Sequence, residues 1–431
     1  MLELIRSPSS VLSRFSNHEI AKTIRFVQWI LLGWGLSVAA WGEGRSPSIA
    51  ILLPLLWALA PSRALAFAVT ASYHMGVIRF LPGYAGTWFA STSMGVGVWL
   101  TVGVVSGLGW ALCWTRSNKP LWVVLSTVAA LSITLLPPVA GVLPGHPLIG
   151  WGFTLPGTGW IGLALMFVAT AAGVWFIRCR LPAIQRAPKW AVPGMMSLLA
   201  IMTATAGMQP GGNSAGKIVA RAGAVSTHLG GPPPPYSMEV MERVEKIAKV
   251  TQSLAGGDDG FTTVIFPESV IGIYDPSLYP VLETSILKKA RDAGQTVILG
   301  ADVQIGSSQW INSALVFRSD GSSTYLAARQ SAPVSMWKPW AKEGHYPSDW
   351  LGRNVAPIGG GLTARFMFCY EEYIPMLHLL DEALFDHNIV VAMSNLWPSH
   401  GELANHVQAA HTQGMALLFG RRWLRAVNLP K

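Results

Sequence analysis

The sequence predicts a chain of two unlike parts, a helical membrane domain followed by a layered α/β domain. The first observation is composition: 12% of the 431 residues are charged and the mean hydropathy is +0.39, which is too apolar for an ordinary soluble protein. The second is position, because the long apolar segments all precede residue 211. The third is pattern: beyond that point, short apolar runs typical of strands alternate with helical patterns.

Seven apolar segments in the first part predict about seven membrane helices. Some of them are shorter than the ~20 residues that usually span a bilayer. The second and third segments, separated only by residues 61–63, could form one helical hairpin or two tilted short helices. The 19 tryptophans fit a membrane protein because Trp is common at bilayer interfaces. The segments are 26–42, 48–61, 64–78, 87–114, 120–143, 160–177 and 190–208.

The distribution of positive charge predicts the orientation of these segments. Loops on the cytoplasmic side carry most lysines and arginines in such proteins. With a cytoplasmic N-terminus, the outside loops hold only Arg45 and Arg79, and loop 144–159 holds neither lysine nor arginine. Seven spans then place the C-terminal domain in the periplasm of a bacterial inner-membrane protein. The inside positions are Arg6, Arg14, Lys22, Arg25, Arg63, Arg116, Lys119, Arg178, Arg180, Arg186 and Lys189.

Composition also predicts the domain boundaries and the partners. We expect a cytoplasmic segment at 1–25, a membrane domain at 26–208, a linker at 209–216 rich in Pro, Gly, Asn and Ser, and an α/β domain at 217–431. The spans hold almost no ionisable residues, which disfavours the alternative of a transporter. Membrane loops account for much of the net charge of +9, and basic residues do not cluster with aromatic ones. The membrane is therefore an expected partner, whereas direct contact with nucleic acid is not expected.

Periodicity and turn residues predict the elements of the α/β domain. Ser237 is expected to cap a helix, and Asp320 with Gly321 to form the turn of a hairpin. The predicted strands are 217–224, 262–266, 296–301, 312–318, 323–327, 364–368 and 388–394, and the further predicted helices are 279–293, 373–385 and 401–418.

Two of these strands end at residues that can do chemistry. Glu268 follows the strand at 262–266, and Cys369 follows the strand at 364–368. A carboxylate and a thiol at neighbouring strand ends would form a base and nucleophile pair. The helix after Cys369 is expected to lower the pKa of its thiol, and burial is expected to raise the pKa of Glu268. Taken alone, a small core cysteine and a capping glutamate are equally open interpretations.

The segments around these residues resemble a known family. Residues 264–269 and 368–371 resemble the nitrilase superfamily, whose triad is Glu, Lys and Cys. Residues 299–304, 312–316 and 394–397 resemble its apolipoprotein N-acyltransferase-like branch, in which membrane helices precede a periplasmic nitrilase domain. Within that branch, residues 336–340 are similar to plasmid conjugal transfer proteins. The resemblance implies an αββα sandwich, Glu268 as base, Cys369 as nucleophile, no cofactor, and other conjugation proteins as partners.

Two features depart from the family pattern. The family lysine follows a tyrosine by two residues, but Ala327 stands at that distance from Tyr325. Lys338 is the predicted replacement, and Arg329 is the alternative cation, although an arginine does not readily exchange protons. The branch also continues with more strands and a last membrane helix, whereas this sequence ends at Lys431.

The acidic and histidine residues near Cys369 carry further predictions. Glu371 resembles the acidic position after the family cysteine, where it would position the site or simply favour the start of a helix. No metal is predicted, because the histidines lack a metal-ligand spacing. These histidines are His387, His400, His406 and His411.

These features favour two hypotheses of function. The first is a membrane-bound thiol acyltransferase or amidase that acts in plasmid conjugal transfer and uses a lipid-linked acyl donor. The alternative is a catalytically inactive nitrilase-like scaffold or binding module of the conjugation apparatus. The absence of lysine from its family position favours this alternative.

Overall fold

The structure, a computed structural model, describes residues 17–136, 144–186, 218–219, 221–255, 260–306 and 308–431. Its N-terminal part consists of helices, with one 3₁₀ segment at Pro47–Leu52. These helices are α1 (Asn17–Trp41), α2 (Leu53–Leu59), α3 (Arg63–Val77), α4 (Leu81–Trp88), α5 (Thr92–Cys113), α6 (Pro120–Ile133), α7 (Pro147–Thr154) and α8 (Gly159–Arg186).

Three of the described helices are long and apolar enough to cross a membrane: Glu19–Trp41, Thr92–Cys113 and Gly159–Arg180. A bent pair, α3 and α4, would make a fourth span if it crosses as one unit. The apolar helices Pro47–Leu59 and Pro120–Ile133 are shorter. The predicted segment 190–208 lies outside the described residues, and the count of seven spans stays a prediction.

The two ends of the membrane domain differ in charge. At one end, the Arg63 side chain donates a hydrogen bond to the carbonyl oxygen of Trp114 at 3.2 Å, and the Arg178 guanidinium lies 4.8 Å from the centre of a Trp114 ring. The opposite end packs against the C-terminal domain. There Trp41 stacks on His411 at 4.8 Å, and the Gly145 N–H donates to His411 Nε2 at 2.8 Å. The C-terminal domain therefore lies on the side of the arginine-poor loops.

Two β-sheets form the centre of the C-terminal domain. One sheet has the order β1-β2-β4-β6-β7-β8, with β5 also paired to β6, and the other has the order β3-β12-β11-β10-β9. The strands are β1 (Ile218–Val219), β2 (Ala222–Ala224), β3 (Ser226–Thr227), β4 (Thr263–Ile265), β5 (Ile273–Tyr274), β6 (Thr296–Ile305), β7 (Gln309–Phe317), β8 (Ser323–Ala327), β9 (Val355–Gly359), β10 (Leu362–Phe368), β11 (Ile389–Asn395) and β12 (Arg422–Asn428).

Helices cover the outer faces of both sheets. They are α9 (Met238–Ser253), α10 (Tyr279–Leu282), α11 (Lys288–Asp292), α12 (Pro375–Leu384) and α13 (Leu403–Leu418). One apolar core, with Ile265 and Phe366, lies between the two sheets. A second core packs α9 on the first sheet, and a third packs α12 on the second sheet. The predicted αββα sandwich is confirmed by these four layers.

Several element boundaries differ from the sequence predictions. The predicted helix 279–293 is interrupted by a π-helical segment, Glu283–Leu287, and the predicted helix 373–385 begins only at Pro375, after a 3₁₀ turn at Cys369–Tyr373. Ser237 lies at the N-cap of α9, but its hydroxyl donates to the Pro234 carbonyl oxygen instead of capping the helix. Strands β9 and β12 were absent from the predictions because β9 contains a proline and β12 contains charged residues.

Candidate active site

Glu268 and Cys369 lie in strained turns that follow β4 and β10. Cys369 has φ +38° and Ser269, next to Glu268, has φ +47°, both in a region that side-chain-bearing residues rarely adopt. Such strain is commonly found at functional sites. Gly300 of β6 allows the Glu268 turn to approach, because a Cβ there would lie 2.5 Å from the Glu268 Cα. The turns thus hold both side chains at the carboxyl ends of their strands.

Asn395, the last residue of β11, joins the carboxylate to the thiol. Its N–H donates to Glu268 Oε2 at 2.9 Å, and its carbonyl oxygen accepts from Cys369 Sγ at 3.9 Å. The side-chain amide of Asn312 donates to Glu268 Oε1, and the Glu268 carboxylate is near enough to the thiol to raise its pKa. The structure therefore brings Glu268 and Cys369 together, as the sequence predicted.

The surroundings of this pair favour the protonated form of both groups. Burial, with a smaller contribution from nearby Asp302, raises the pKa of Glu268 to about 8. Burial and the neighbouring Glu268 raise the pKa of the Cys369 thiol well above its usual range. The expectation that a helix N-terminus would lower this pKa is wrong, because loss of hydration and a nearby carboxylate outweigh the short 3₁₀ turn. A base is therefore required to form the thiolate.

Asp302 connects Glu268 to a long loop between β8 and β9. Its carboxylate accepts hydrogen bonds from the Ser269 hydroxyl at 2.8 Å and the Tyr346 hydroxyl at 3.2 Å. Burial raises the pKa of Asp302 to about 6. The Tyr346 N–H also donates to the Met336 carbonyl oxygen at 3.1 Å, so this loop is anchored beside the site.

Glu371 holds the backbone around Cys369 in place. Its carboxylate accepts N–H donations from Phe368 at 3.0 Å, from Gln330 at 2.8 Å and from Arg329. Burial raises the pKa of Glu371 to about 7 despite these bonds and the Arg329 charge. The carboxylate joins the end of β10 to the segment after β8, which fits the positioning role predicted for it.

A chain of side chains links Cys369 to a buried ion pair. Gln408 Nε2 donates to the Cys369 carbonyl oxygen and lies 3.8 Å from its Sγ. Arg425 donates to Gln408 Oε1 at 2.9 Å and pairs with Glu372 at 3.0 Å. Glu372 also accepts from the Thr412 hydroxyl at 2.7 Å. The position of Gln408 beside the sulfur therefore depends on Arg425.

The two candidate cations are placed differently. Arg329 is buried and forms a bidentate ion pair with Asp381 at 2.6 and 2.8 Å, and Arg365 also donates to Asp381 at 3.1 Å. Lys338 lies in the loop anchored by Tyr346, and its N–H donates to His345 Nδ1 at 3.1 Å. Within the described ranges, neither cation forms a hydrogen bond or ion pair with Glu268 or Cys369. The structure does not bring a cation into contact with the pair, and the role of Lys338 stays a prediction.

The described residues do not offer a metal site. No three His, Cys, Asp or Glu side chains in that part of the chain are grouped so that they could hold a metal ion. The four histidines considered in the sequence have other surroundings; for example, His387 contacts Glu382 at 3.0 Å, and His400 contacts Thr87 at 2.8 Å.

Two curated relatives align with nearly the whole chain. The conjugal transfer protein TraB of Agrobacterium fabrum is 30% identical, with 93% of this chain and 92% of that protein aligned. The chain belongs to the TraB family of conjugal transfer proteins. A probable conjugal transfer protein TraB of Sinorhizobium fredii is 25% identical, with 88% and 92% aligned. No family model matches the sequence.

Solved structures similar to this TraB family member cover only part of it. An amidase of the nitrilase superfamily from Nesterenkonia is 14% identical, with 40% of this chain and 63% of that chain aligned and a TM-score of 0.28. The chain thus spans just under two thirds of that amidase. A glutamine-dependent NAD⁺ synthetase from Acinetobacter baumannii is 16% identical, with 40% and 31% aligned and a TM-score of 0.25.

Several residues of this candidate site had no role in the sequence predictions. Asp302 could have been noticed as an acidic residue in the apolar strand β6, because a buried carboxylate is rare. Gln408 and Arg425 carried no such signal, since their role depends on contacts between α13 and β12. Tyr84 comes from the membrane domain, and its hydroxyl reaches the Asn395 carbonyl oxygen at 3.4 Å. No sequence pattern could indicate this residue, because Tyr84 and Asn395 are far apart in the chain and meet only in the folded protein.

Proposed function

We propose that this protein is a membrane-bound thiol acyltransferase or amidase of plasmid conjugal transfer, with Cys369 as nucleophile and Glu268 as general base. One observation carries the proposal: a buried carboxylate with a pKa raised to about 8 contacts the same residue, Asn395, as a thiol in a strained turn. A base with a pKa near the working pH is efficient in proton transfer. Membership in the TraB family supports the biological process.

The proposed reaction has two steps. Glu268 takes the thiol proton while Sγ attacks the carbonyl carbon of an ester or amide. The tetrahedral intermediate collapses, the bond to the alcohol or amine breaks, and Glu268 returns the proton to that leaving group. An amine or water then attacks the thioester, gives its proton to Glu268, and releases the acyl group; that proton returns to Sγ.

A lipid-linked acyl donor is proposed because the site lies next to the membrane domain. Tyr84 of α4 reaches the residue that joins Glu268 to Cys369. The loop beside the site exposes Trp340 (66% exposed) and Leu351 (67% exposed). Large exposed apolar side chains of this kind are typical of contacts with lipid or with another apolar partner.

Lys338 is the proposed cation for the negative charge that develops on the carbonyl oxygen. Its loop is anchored to Asp302 through Tyr346, and within the described residues its side chain has no ion pair. Arg329 is less suitable, because both terminal nitrogens of its guanidinium already donate to the Asp381 carboxylate.

The test of this function is to trap an acyl group on the purified protein. Incubation with labelled acyl donors should yield a thioester on Cys369. Cys369→Ala should abolish the label, and Cys113→Ala and Cys179→Ala should keep it. Labelling of Cys369→Ala would contradict the assignment of the nucleophile.

The inactive scaffold is the second candidate, and one observation favours it. An active triad of this kind would require a cation in contact with Glu268 or Cys369. In the described ranges no cation contacts either residue. If wild-type protein forms no thioester with any donor, and conjugation survives Cys369→Ala, the scaffold is the better conclusion.

We also propose the orientation of the chain, with domains at 1–25, 26–208, 209–216 and 217–431 and a periplasmic C-terminal domain. The contacts of the arginine-poor end with His411 support it. Fused after Lys431, a reporter that works only in the periplasm should be active, and one that works only in the cytoplasm should be inactive. Activity of a cytoplasmic reporter alone would contradict seven spans.

A further inference from the structure

Tyr84 reaches the thiol site from the membrane domain. Its hydroxyl donates to the Asn395 carbonyl oxygen at 3.4 Å, and the same oxygen accepts from Cys369 Sγ at 3.9 Å. The hydroxyl and the sulfur thus share one acceptor.

The fold places this tyrosine by a bend. Helices α3 and α4 meet at 59°, and Pro82 lies in the first turn of α4. A proline has no N–H to continue the preceding helix but is well tolerated in the first turn of a new one. The chain therefore turns at the end of α3, and α4 packs against the C-terminal domain.

Helix α4 is docked by contacts other than Tyr84. The Thr87 hydroxyl contacts His400 Nε2 at 2.8 Å, and the rings of Trp88 and Trp397 lie 5.9 Å apart. Gly83 allows the close approach, since a Cβ there would lie 3.0 Å from the His400 ring. These contacts hold α4 in place, so the Tyr84 hydroxyl is not needed for docking.

Among the described side chains, one neutral donor already contacts the thiol, the Gln408 amide at 3.8 Å from Sγ. The groups that face it are Glu268, which must be ionised to act as base, Gln408, and Tyr373, whose hydroxyl donates to the Ala404 carbonyl oxygen at 3.4 Å. Glu372 is also near, and its charge is paired with Arg425. When Glu268 removes the proton it becomes neutral, and the sulfur becomes an anion near Glu372 that a hydroxyl donor in addition to Gln408 would stabilise.

We propose that Tyr84 is a catalytic residue contributed by the membrane domain, whose hydroxyl turns from the Asn395 carbonyl oxygen to the Cys369 thiolate and stabilises it. No bond to carbon forms in this step: the proton moves from Sγ to Glu268, and the phenol keeps its own proton while it donates. Contacts that are long in a resting site commonly shorten during the reaction. The inference rests on the proposed role of Cys369 as nucleophile, and it makes the site incomplete without α4.

The experiment measures the rate at which iodoacetamide alkylates Cys369 between pH 6 and 10, in the full-length protein with Cys113→Ser and Cys179→Ser. A hydrogen bond from a hydroxyl stabilises a thiolate, so its loss raises the pKa of the thiol. Tyr84→Phe should therefore slow alkylation about 10- to 100-fold at pH 8 and shift the dependence of the rate on pH to higher pH. The matched control is Thr87→Val, which removes a hydroxyl from the same helix and the same interface. It should alkylate at the wild-type rate.

Three outcomes decide the inference. Wild-type alkylation of Tyr84→Phe would overturn it. Equal slowing of Tyr84→Phe and Thr87→Val would also overturn it, because the effect would then come from docking of α4; equal thermal unfolding midpoints of all three proteins exclude a folding defect. Selective slowing of Tyr84→Phe supports it. A wild-type protein that forms no acyl thioester would remove the proposed function but leave the alkylation result intact.

Discussion

Glu268 and Glu372 are both buried carboxylates beside Cys369, but only Glu372 has a cationic partner. Arg425 binds Glu372 at 3.0 Å, and Thr412 adds a hydroxyl donor. Glu268 receives only neutral donors, from Asn312 and Asn395, and burial raises its pKa to about 8. The ion pair of Glu372 supports structure, whereas burial without a cationic partner raises the pKa of Glu268 to the range in which it can act as a base.

This difference also explains the surroundings of each carboxylate. Glu372 belongs to a network that positions Gln408, so its removal should affect folding first. Glu268 is held by the backbone of β11 and by β7, and its removal should affect chemistry first. The following changes test that division, beginning with the largest expected effect.

Glu268→Gln should slow acyl labelling of Cys369 by about 10²- to 10⁴-fold, because a general base contributes about that much. The protein should still fold, since glutamine fills the same space. Measurement of labelling in wild type and variant by intact-mass spectrometry checks this. A variant that labels at the wild-type rate would mean that another group takes the proton.

The pH dependence of labelling should separate the two carboxylates. Glu268 must be ionised to accept the thiol proton, and its pKa is raised to about 8. Labelling should therefore increase as pH rises through about 8 and then level off. Glu268→Gln should lose this rise, whereas Glu372→Gln should keep it at a lower protein stability. A wild-type profile that falls through pH 8 would reverse the assignment.

Lys338→Ala should slow labelling by about 10²- to 10³-fold if its side chain reaches the carbonyl oxygen, since one lost oxyanion donor has that cost. The matched comparison is Lys342→Ala, a lysine of the same loop. Equal rates for wild type and both variants would show that no lysine of this loop acts in the reaction.

Arg425→Met should destabilise the fold by about 3–5 kcal/mol, because it leaves the buried Glu372 charge without its partner. Thermal unfolding of the detergent-solubilised protein measures this loss. Unchanged stability combined with lost labelling would contradict the assignment of Arg425 and Glu372 to stability rather than to chemistry.

The smallest effect is expected for the double variant Glu372→Met with Arg425→Met. Replacing both members of a buried ion pair by apolar residues is often close to neutral for stability. Labelling should still decrease, because Gln408 loses its Arg425 donor. Full retention of labelling would mean that Gln408 holds the site without this network.

Local patterns were enough to predict much of the α/β domain. Strand-like runs located β4, β6, β7, β8, β10 and β11, and the Gly321 turn closes the β7–β8 hairpin as expected. Cys369 and Glu268 were found because each stands within two residues of the end of such a run. Strand β12 was missed because its charged residues obscure the apolar pattern, and Arg425 among them is buried against Glu372.

The sequence by itself determined the order of the two domains, the αββα layering through its family resemblance, and the identity of the carboxylate and thiol. These properties depend on hydropathy and on residues adjacent in the chain. Only the tertiary structure decided which carboxylate has a cation, that Arg329 pairs with Asp381, and that Tyr84 and Cys369 share an acceptor. Those properties depend on burial and on contacts between residues far apart in sequence, and no local pattern records them.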